Sequence, residues 1–346
     1  MYRFNKEIGF AHDRQRDMEL LRRMAARPGQ SIALGALAAT LLLWGTAFPG
    51  IRAALEGYGP GDLALGRFIA ASIVLGLAAP LARIRRPARA DLARLAVAGF
   101  LGVSVYHTLL NLGERTVTAG SASLVVSIMP PLTALGAVIF LRERLPGLGW
   151  AGIFVSLAGV AAIAMGDAEG VRFDSGVPLI AIGAAAFAAT NIIQKPLLGR
   201  YTPLEFVAYS TWVGTAFLLV FSPELIRSAA AAPARASLAL IYLGVFPAAL
   251  GGIGWSYVLR AWKASTASAS LLLIPVVATL VAWTWLGEVP TPQALAGGAL
   301  TLAGVALVRL AARRSSPVPE RAAAPIVVTQ AVAAPNPVHE RIPCRS

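Results

Sequence analysis

Tyr58-Gly59-Pro60-Gly61-Asp62 and Tyr201-Thr202-Pro203-Leu204-Glu205 repeat one pattern, Tyr-x-Pro-x-acid, 143 residues apart. Each copy lies in a polar gap between two apolar runs. At the same offset Trp44 falls on Phe187 and Arg52 on Lys195. An offset of 145 aligns the later runs, where Pro130 meets Pro275 and Leu141 and Glu143 meet Leu286 and Glu288. Leu157-Ala158-Gly159-Val160-Ala161 is there identical to Leu302-Ala303-Gly304-Val305-Ala306. Chance identity is common in Leu/Ala/Gly-rich sequence, but proline and glutamate are rare in such places, so the matches together imply duplication.

The apolar runs themselves are long enough to cross a membrane. A spanning helix needs roughly 20 mostly apolar residues, and such windows occur at 31–52, 62–82, 91–112, 116–140, 146–166, 175–195, 203–222, 237–259, 264–286 and 292–311. The weakest separation, Gly113-Glu114-Arg115, lies between the third and fourth. Of the 346 residues 57% are hydrophobic and 14% charged, and mean hydropathy is +0.67. A soluble domain devotes about a quarter of its residues to charge, so lipid is the expected solvent. A spanning β-barrel needs alternating segments of about ten residues, which runs such as Leu124-Val125-Val126-Ser127-Ile128-Met129 do not provide. The fold class expected is therefore an all-α integral membrane protein with ten transmembrane helices in two inverted five-helix repeats. Inversion follows from the odd number, because the second copy enters the membrane from the opposite side.

This reading divides the chain into a cytoplasmic N-terminal tail at 1–30, a first repeat at 31–166, a second at 175–311 and a disordered cytoplasmic C-terminal tail at 315–346. The net charge is +13. Its basic residues gather in the first thirty positions, in 83–94 and in the C-terminal tail, which fits orientation signals and anionic lipid rather than nucleic acid. Placing both termini inside puts Arg83, Arg85, Arg86, Arg89 and Arg94 inside, with Arg142/Arg144, Lys195/Arg200, Arg260/Lys263 and Arg309/Arg313/Arg314. The near-neutral connection bearing Asp167, Glu169, Arg172 and Asp174 is then outside. The single cysteine, Cys344, excludes an intrachain disulfide or a Cys-ligated zinc site. No metal or cofactor is expected. No cleaved signal peptide is expected, and the first span would serve as an uncleaved anchor.

With these features the chain resembles EamA-type members of the drug/metabolite transporter superfamily. The likeness lies in Leu43-Trp44-Gly45-Thr46-Ala47-Phe48, Gly66-Arg67-Phe68, and Thr118-Ala119-Gly120-Ser121-Ala122-Ser123-Leu124 leading to Pro130. It continues in Leu141-Arg142-Glu143-Arg144-Leu145 and Gly152…Leu157-Ala158-Gly159-Val160. The second half repeats it as Ser265 to Leu271, Pro275, Leu286-Gly287-Glu288 and Gly297…Gly304-Val305. The resemblance covers about 31–311. It implies a central cavity lined by the first four helices of each half, peripheral fifth and tenth helices, and transport of small metabolites, often export of amino acids or related compounds. Two departures are Phe187, where the family often has Trp, and Ser210, which stands where the first half has Arg67.

Charge inside hydrocarbon costs about 2.5–3.5 kcal/mol on insertion scales, so Arg67 is a candidate for the substrate cavity. Its alternative is a structural latch to Asp62 or Glu114, or snorkelling to the interface. His107 and Asn111, four apart, share a face of the third helix, and a neutral histidine there could couple transport to protons. Asn191 and Gln194 share a face of the sixth helix, either lining the cavity or bonding between helices. Trp44 with Gly45 and Thr46 completes the candidates. Trp255, Tyr257, Trp262, Trp283 and Trp285 read instead as interface aromatics. Pro130, Pro131 and Pro275 bend the fourth and ninth helices at matched places and are hinge candidates. Glu143 fits a surface ion pair or the N-terminus of the helix that follows it.

The function expected is secondary transport of a small metabolite across a bacterial inner membrane by alternating access, with the bilayer and a proton or other coupling ion as partners. Without a Gly-x-x-x-x-Gly-Lys-Ser/Thr loop no ATPase site is encoded. An intramembrane lipid-modifying transferase would want clustered acids and histidines, whereas His12, His107 and His339 are scattered. A non-transporting scaffold would leave the duplication unexplained.

Overall fold

The computed structural model describes residues 28–117, 119–165, 175–281, 283 and 290–314. Outside these lie nearly all of both tails, the 166–174 connection, and Trp285 with Leu286-Gly287-Glu288. The described residues are helical throughout, without a strand. In chain order the long helices are α1 (Gln30–Leu55), α2 (Pro60–Leu81), α3 (Arg89–Gly113), α4 (Ser121–Phe140) and α5 (Gly147–Met165). They continue as α6 (Gly176–Leu197), α7 (Pro203–Ala231), α8 (Ala234–Ala261), α9 (Ala264–Val281) and α10 (Pro292–Ala312). Among the described residues nine of these are long and apolar enough to cross a membrane; the apolar stretch of α5, Gly147–Ile163, is shorter.

Sequence explains where helices begin. Pro60 and Pro203 occupy first-turn positions, where a missing N–H costs nothing. Glu205 Oε2 accepts from Thr202 N at 2.8 Å while Thr202 Oγ1 accepts from Glu205 N at 3.2 Å, a reciprocal cap. In the first copy Asp62 Oδ2 accepts from Gly59 N at 3.1 Å, and glycine offers no hydroxyl in return. Helix α7 runs past the expected end at residue 222 through an exposed stretch, Ser222–Ala231, because Pro223 restarts a helix at its own first turn.

Two helices are underwound in a matched way. Phe100–Val105 in α3 and Gly244–Gly251 in α8 are π-helical. Pro247 lies inside the second segment, where it brings no N–H to the ladder. The fourth and ninth helices are also interrupted, α4 by a turn at Ser127–Ile128 and α9 by the 3-10 segment Ser270–Leu273. Both breaks immediately precede the matched prolines.

Contacts between the halves are reciprocal. Ser72 and Thr215, 143 apart in sequence, meet each other at 3.0 Å. Arg85 pairs with Glu205 at 2.9 Å, and the residues at the same offset, Ser228 and Asp62, bond to each other at 2.6 Å. Arg85 lies in the α2–α3 connection, where its hydrogen bond to Glu205 and the carboxylate charge hold its guanidinium above the ordinary value. Arg200 bonds to Asp91 at 2.9 Å on the same side. On the far side of the fold α5 packs on α10. There Ser156 Oγ donates to Thr301 O at 3.2 Å and Thr301 Oγ1 to Ser156 O at 3.4 Å, residues 145 apart.

Candidate functional site

A cavity of about 110 Å³ lies between α1, α2, α3, α4, α6, α7, α8 and α9, with no lining residue from α5 or α10 among the described residues. Small residues let the walls approach. A methyl on Gly99 of α3 would sit 2.5 Å from the Ser210 carbonyl oxygen on α7, and Gly244 of α8 is crowded in the same way by the Arg67 carbonyl on α2. These pairs place the start of each π-helical segment against the second helix of the other half.

One wall is aromatic and continuous. Trp44 stands edge-on to Phe187 at 5.7 Å, the two residues that coincide at the 143-residue offset, and tilts against Trp255 at 5.8 Å. Phe187 continues to Tyr106 at 4.8 Å. His107 is 4.7 Å from Tyr106 and 4.7 Å from Phe68, and the Arg67 guanidinium lies over Phe68 at 5.5 Å. Trp44 is fixed by donating from Nε1 to Pro247 O at 3.0 Å, a carbonyl inside the π-helical segment. Trp255 donates from Nε1 to Asn191 Oδ1 at 2.9 Å.

Of the candidates named from sequence, Trp44, Arg67, His107 and Gln194 line this cavity. Gln194 Nε2 donates to Ser256 Oγ at 2.7 Å. The other four lie off it. Gly45 faces the α9 backbone at Ala278 and Ile274. Thr46 bonds to Tyr242 at 2.6 Å and to the Leu42 and Leu43 carbonyls. Asn111 donates to Pro60 O at 3.0 Å, tying α3 to α2. Asn191 sits behind Trp255 and donates to Thr133 at 3.4 Å. Helical spacing groups His107 with Asn111 and Asn191 with Gln194, but within each pair one side chain lines the cavity and the other bonds to a neighbouring helix.

Arg67 is 2% exposed. Its Nη2 reaches Leu243 O, at the start of the α8 π-helical segment, at 3.5 Å, while Nε and Nη1 have no hydrogen-bond partner. Arg67 makes no ion pair with Asp62, which accepts from Ser228 and Gly59 instead. Nor does it bond to Glu114, whose two oxygens both lack a hydrogen-bond partner. At the equivalent position Ser210 is self-sufficient, donating to the Phe206 and Val207 carbonyls.

Two residues differ from their sequence reading. Trp255, taken for an interface aromatic by its place near a span end, is 1% exposed and lines the cavity. Its signal was Gly251-Gly252-Ile253-Gly254, glycines that bring α8 against Trp44 and Thr40 of α1. Glu143 serves a helix N-terminus, but that of α9 rather than of the following α5. It accepts from Ala264 N at 2.7 Å, Ser265 N at 3.0 Å and Ser265 Oγ at 2.6 Å. Pro130 O accepts from Ser268 Oγ at 3.3 Å, so α4 and α9 are joined at one of the three hinge candidates. Among the described residues no cluster of three metal-ligating side chains occurs.

Comparison with known proteins agrees with this architecture. A probable terminal-alkyne amino-acid exporter of Streptantibioticus cattleyicolor is 41% identical over 84% of this chain and 99% of its own. An uncharacterized transporter of Bacillus subtilis, YdfC, is 38% identical over 78% of this chain and 88% of its own. A crystal structure with 22% sequence identity has the same fold, with a TM-score of 0.67 over 82% of this chain and 98% of that one. The model of the EamA-like transporter family matches twice, at residues 31–165 and 174–310. The chain is a multi-pass membrane protein and belongs to the EamA-like transporter family.

Proposed function

We propose that the chain is a ten-span secondary transporter of two inverted repeats, 31–166 and 175–311, that exports an amino acid or related metabolite across a bacterial inner membrane. The observation that carries this is the central cavity bounded by reciprocal contacts. Ser72–Thr215, Trp44–Phe187 and Ser156–Thr301 each join a residue to its own counterpart, as a two-fold axis between the halves requires. A site on such an axis can exchange access by rocking one half against the other. The arginines at 83, 85, 86, 89 and 94 favour a cytoplasmic α2–α3 connection, and with it cytoplasmic termini. The Streptantibioticus relative's name supports export of an amino-acid-like compound.

Trp44, Arg67, His107 and Gln194 are proposed to meet the substrate; Asn111 and Asn191 hold the walls. Pro130, Pro131 and Pro275 would let α4 and α9 bend during the exchange. His107 Nδ1 and the Glu114 carboxylate, buried without hydrogen-bond partners, are the groups available to a coupling proton.

Reconstitution in liposomes tests the reading. Flux of an amino-acid and metabolite panel is measured with and without a pH gradient. Saturable flux of at least one compound is expected, faster with the gradient. Folded protein that moves none of the panel removes the transport reading, while flux indifferent to the gradient removes proton coupling alone.

A further inference from the structure

We infer that the cavity takes a ligand with a single carboxylate, its carboxylate held by Arg67 and its apolar body laid along the aromatic wall. This deepens the transporter reading and rests on it. Among the described lining residues Arg67 is the sole Lys, Arg, Asp or Glu. Guanidinium carries five N–H donors in a fixed fork, yet Nε and Nη1 are unused and Nη2 has one long contact. A buried cation with idle donors is strongly unfavourable unless a partner completes it. Neither Asp62 nor Glu114 hydrogen-bonds to it, although the Glu114 charge acts on it across a gap, so an acceptor for the open donors enters through the cavity.

Charge and shape select that acceptor. A planar carboxylate accepts two parallel N–H bonds from the fork and brings one negative charge to one cation. A phosphate monoester would bring close to two charges near neutral pH into a lining with one. Phe68, beneath the guanidinium at 5.5 Å, begins the row of rings that ends at Trp255, and this row offers an apolar body flat contact and few polar demands. Ser210, the counterpart of Arg67, has its hydroxyl already bonded. The charged end of the site therefore belongs to the first half alone, and a ligand enters with one orientation.

Isothermal titration calorimetry on the purified full chain tests this with three matched pairs: phenylacetate and phenylacetamide, leucine and leucinamide, phenylalanine and phenylalaninamide. At least one carboxylate is expected to bind tenfold or more tighter than its amide. Arg67→Gln should erase that preference and Arg67→Lys should keep part of it, retaining the charge without the fork. If no carboxylate outbinds its amide in the wild-type protein, or if the preference survives intact in Arg67→Gln, the inference is wrong. Should Arg67→Gln not fold, Arg67→Ser, which copies the other half, replaces it, and the wild-type pairs still decide. Carboxylate preference without flux in liposomes would sink the transport reading only. Flux without carboxylate preference would sink this inference only.

Discussion

The α5–α10 contact and the cavity wall are both built from counterpart residues, but they have aged differently. At α5–α10 the counterparts have kept their chemistry. Gly152 and Gly159 face Gly304 and Gly297, each placed so that a methyl would meet the opposite carbonyl oxygen at 2.5–2.6 Å, and Ser156 and Thr301 exchange hydroxyl bonds. Around the cavity the counterparts have diverged: Arg67 against Ser210, Trp44 against Phe187, and Phe48 against Asn191, which stands behind the wall. Close helix packing in lipid admits only small residues, so both copies of that face stay constrained. A ligand is not two-fold symmetric, and a cavity that binds one gains by differing across its axis.

The most severe way to break this contrast is to enlarge the constrained face. Gly159→Val drives a side chain into the Gly297 carbonyl and Thr301, and overpacking of this kind costs about 3 kcal/mol. Gly297→Val meets other atoms, the Gly159 carbonyl, Ile163 N and Ala162, and should cost about as much, but moving the two helices apart relieves both clashes, so the double variant should be less than additive. Thermal unfolding in detergent reads this out. A double variant that loses the full sum would mean that the two clashes are relieved separately, without a shift of α5 against α10.

On the diverged face, Asn191→Leu removes the acceptor for Trp255 and leaves a buried indole N–H unsatisfied, at about 2 kcal/mol. Unlike the glycine changes, it should also slow flux per folded molecule, because Trp255 is part of the cavity wall. Unchanged flux with lowered stability would assign Trp255 to packing alone.

Hydropathy and the repeated Tyr-x-Pro-x-acid pattern carried most of the architecture, since helix length against membrane thickness is a one-dimensional quantity. The site was half legible. Arg67 and Trp44 stood out because charge and aromatics are scarce in apolar runs. Trp255 did not, because position along a helix gives depth while direction depends on the neighbouring helix. Asn111 and Asn191 show the same limit, as periodicity groups side chains on a face without naming its partner. The π-helical segments at Phe100–Val105 and Gly244–Gly251 leave no mark in hydropathy, though the second presents the Leu243 and Pro247 carbonyls to which Arg67 and Trp44 donate. Glu143 was legible as a capping group, but its helix lies 121 residues away in sequence.

The finest probe of the contrast is the Ser156–Thr301 exchange. Each hydroxyl donates to the other's backbone carbonyl, while both carbonyls retain their place in a helical ladder. Such interhelical bonds average about 0.6 kcal/mol in membrane proteins. Ser156→Ala should lose about that much. Thr301→Ala should lose slightly less through the shared bond, because Thr301 Oγ1 also donates within its own helix, to Gly297 O at 2.9 Å. The bonds use separate donors and separate acceptors, so the double variant should lose close to the sum, in contrast to the two glycines, whose clashes are relieved by one movement of the helices. Strong coupling in that cycle would mean that the hydroxyls act through the spacing of α5 and α10 rather than through their own bonds. The small residues alone would then hold the helices together.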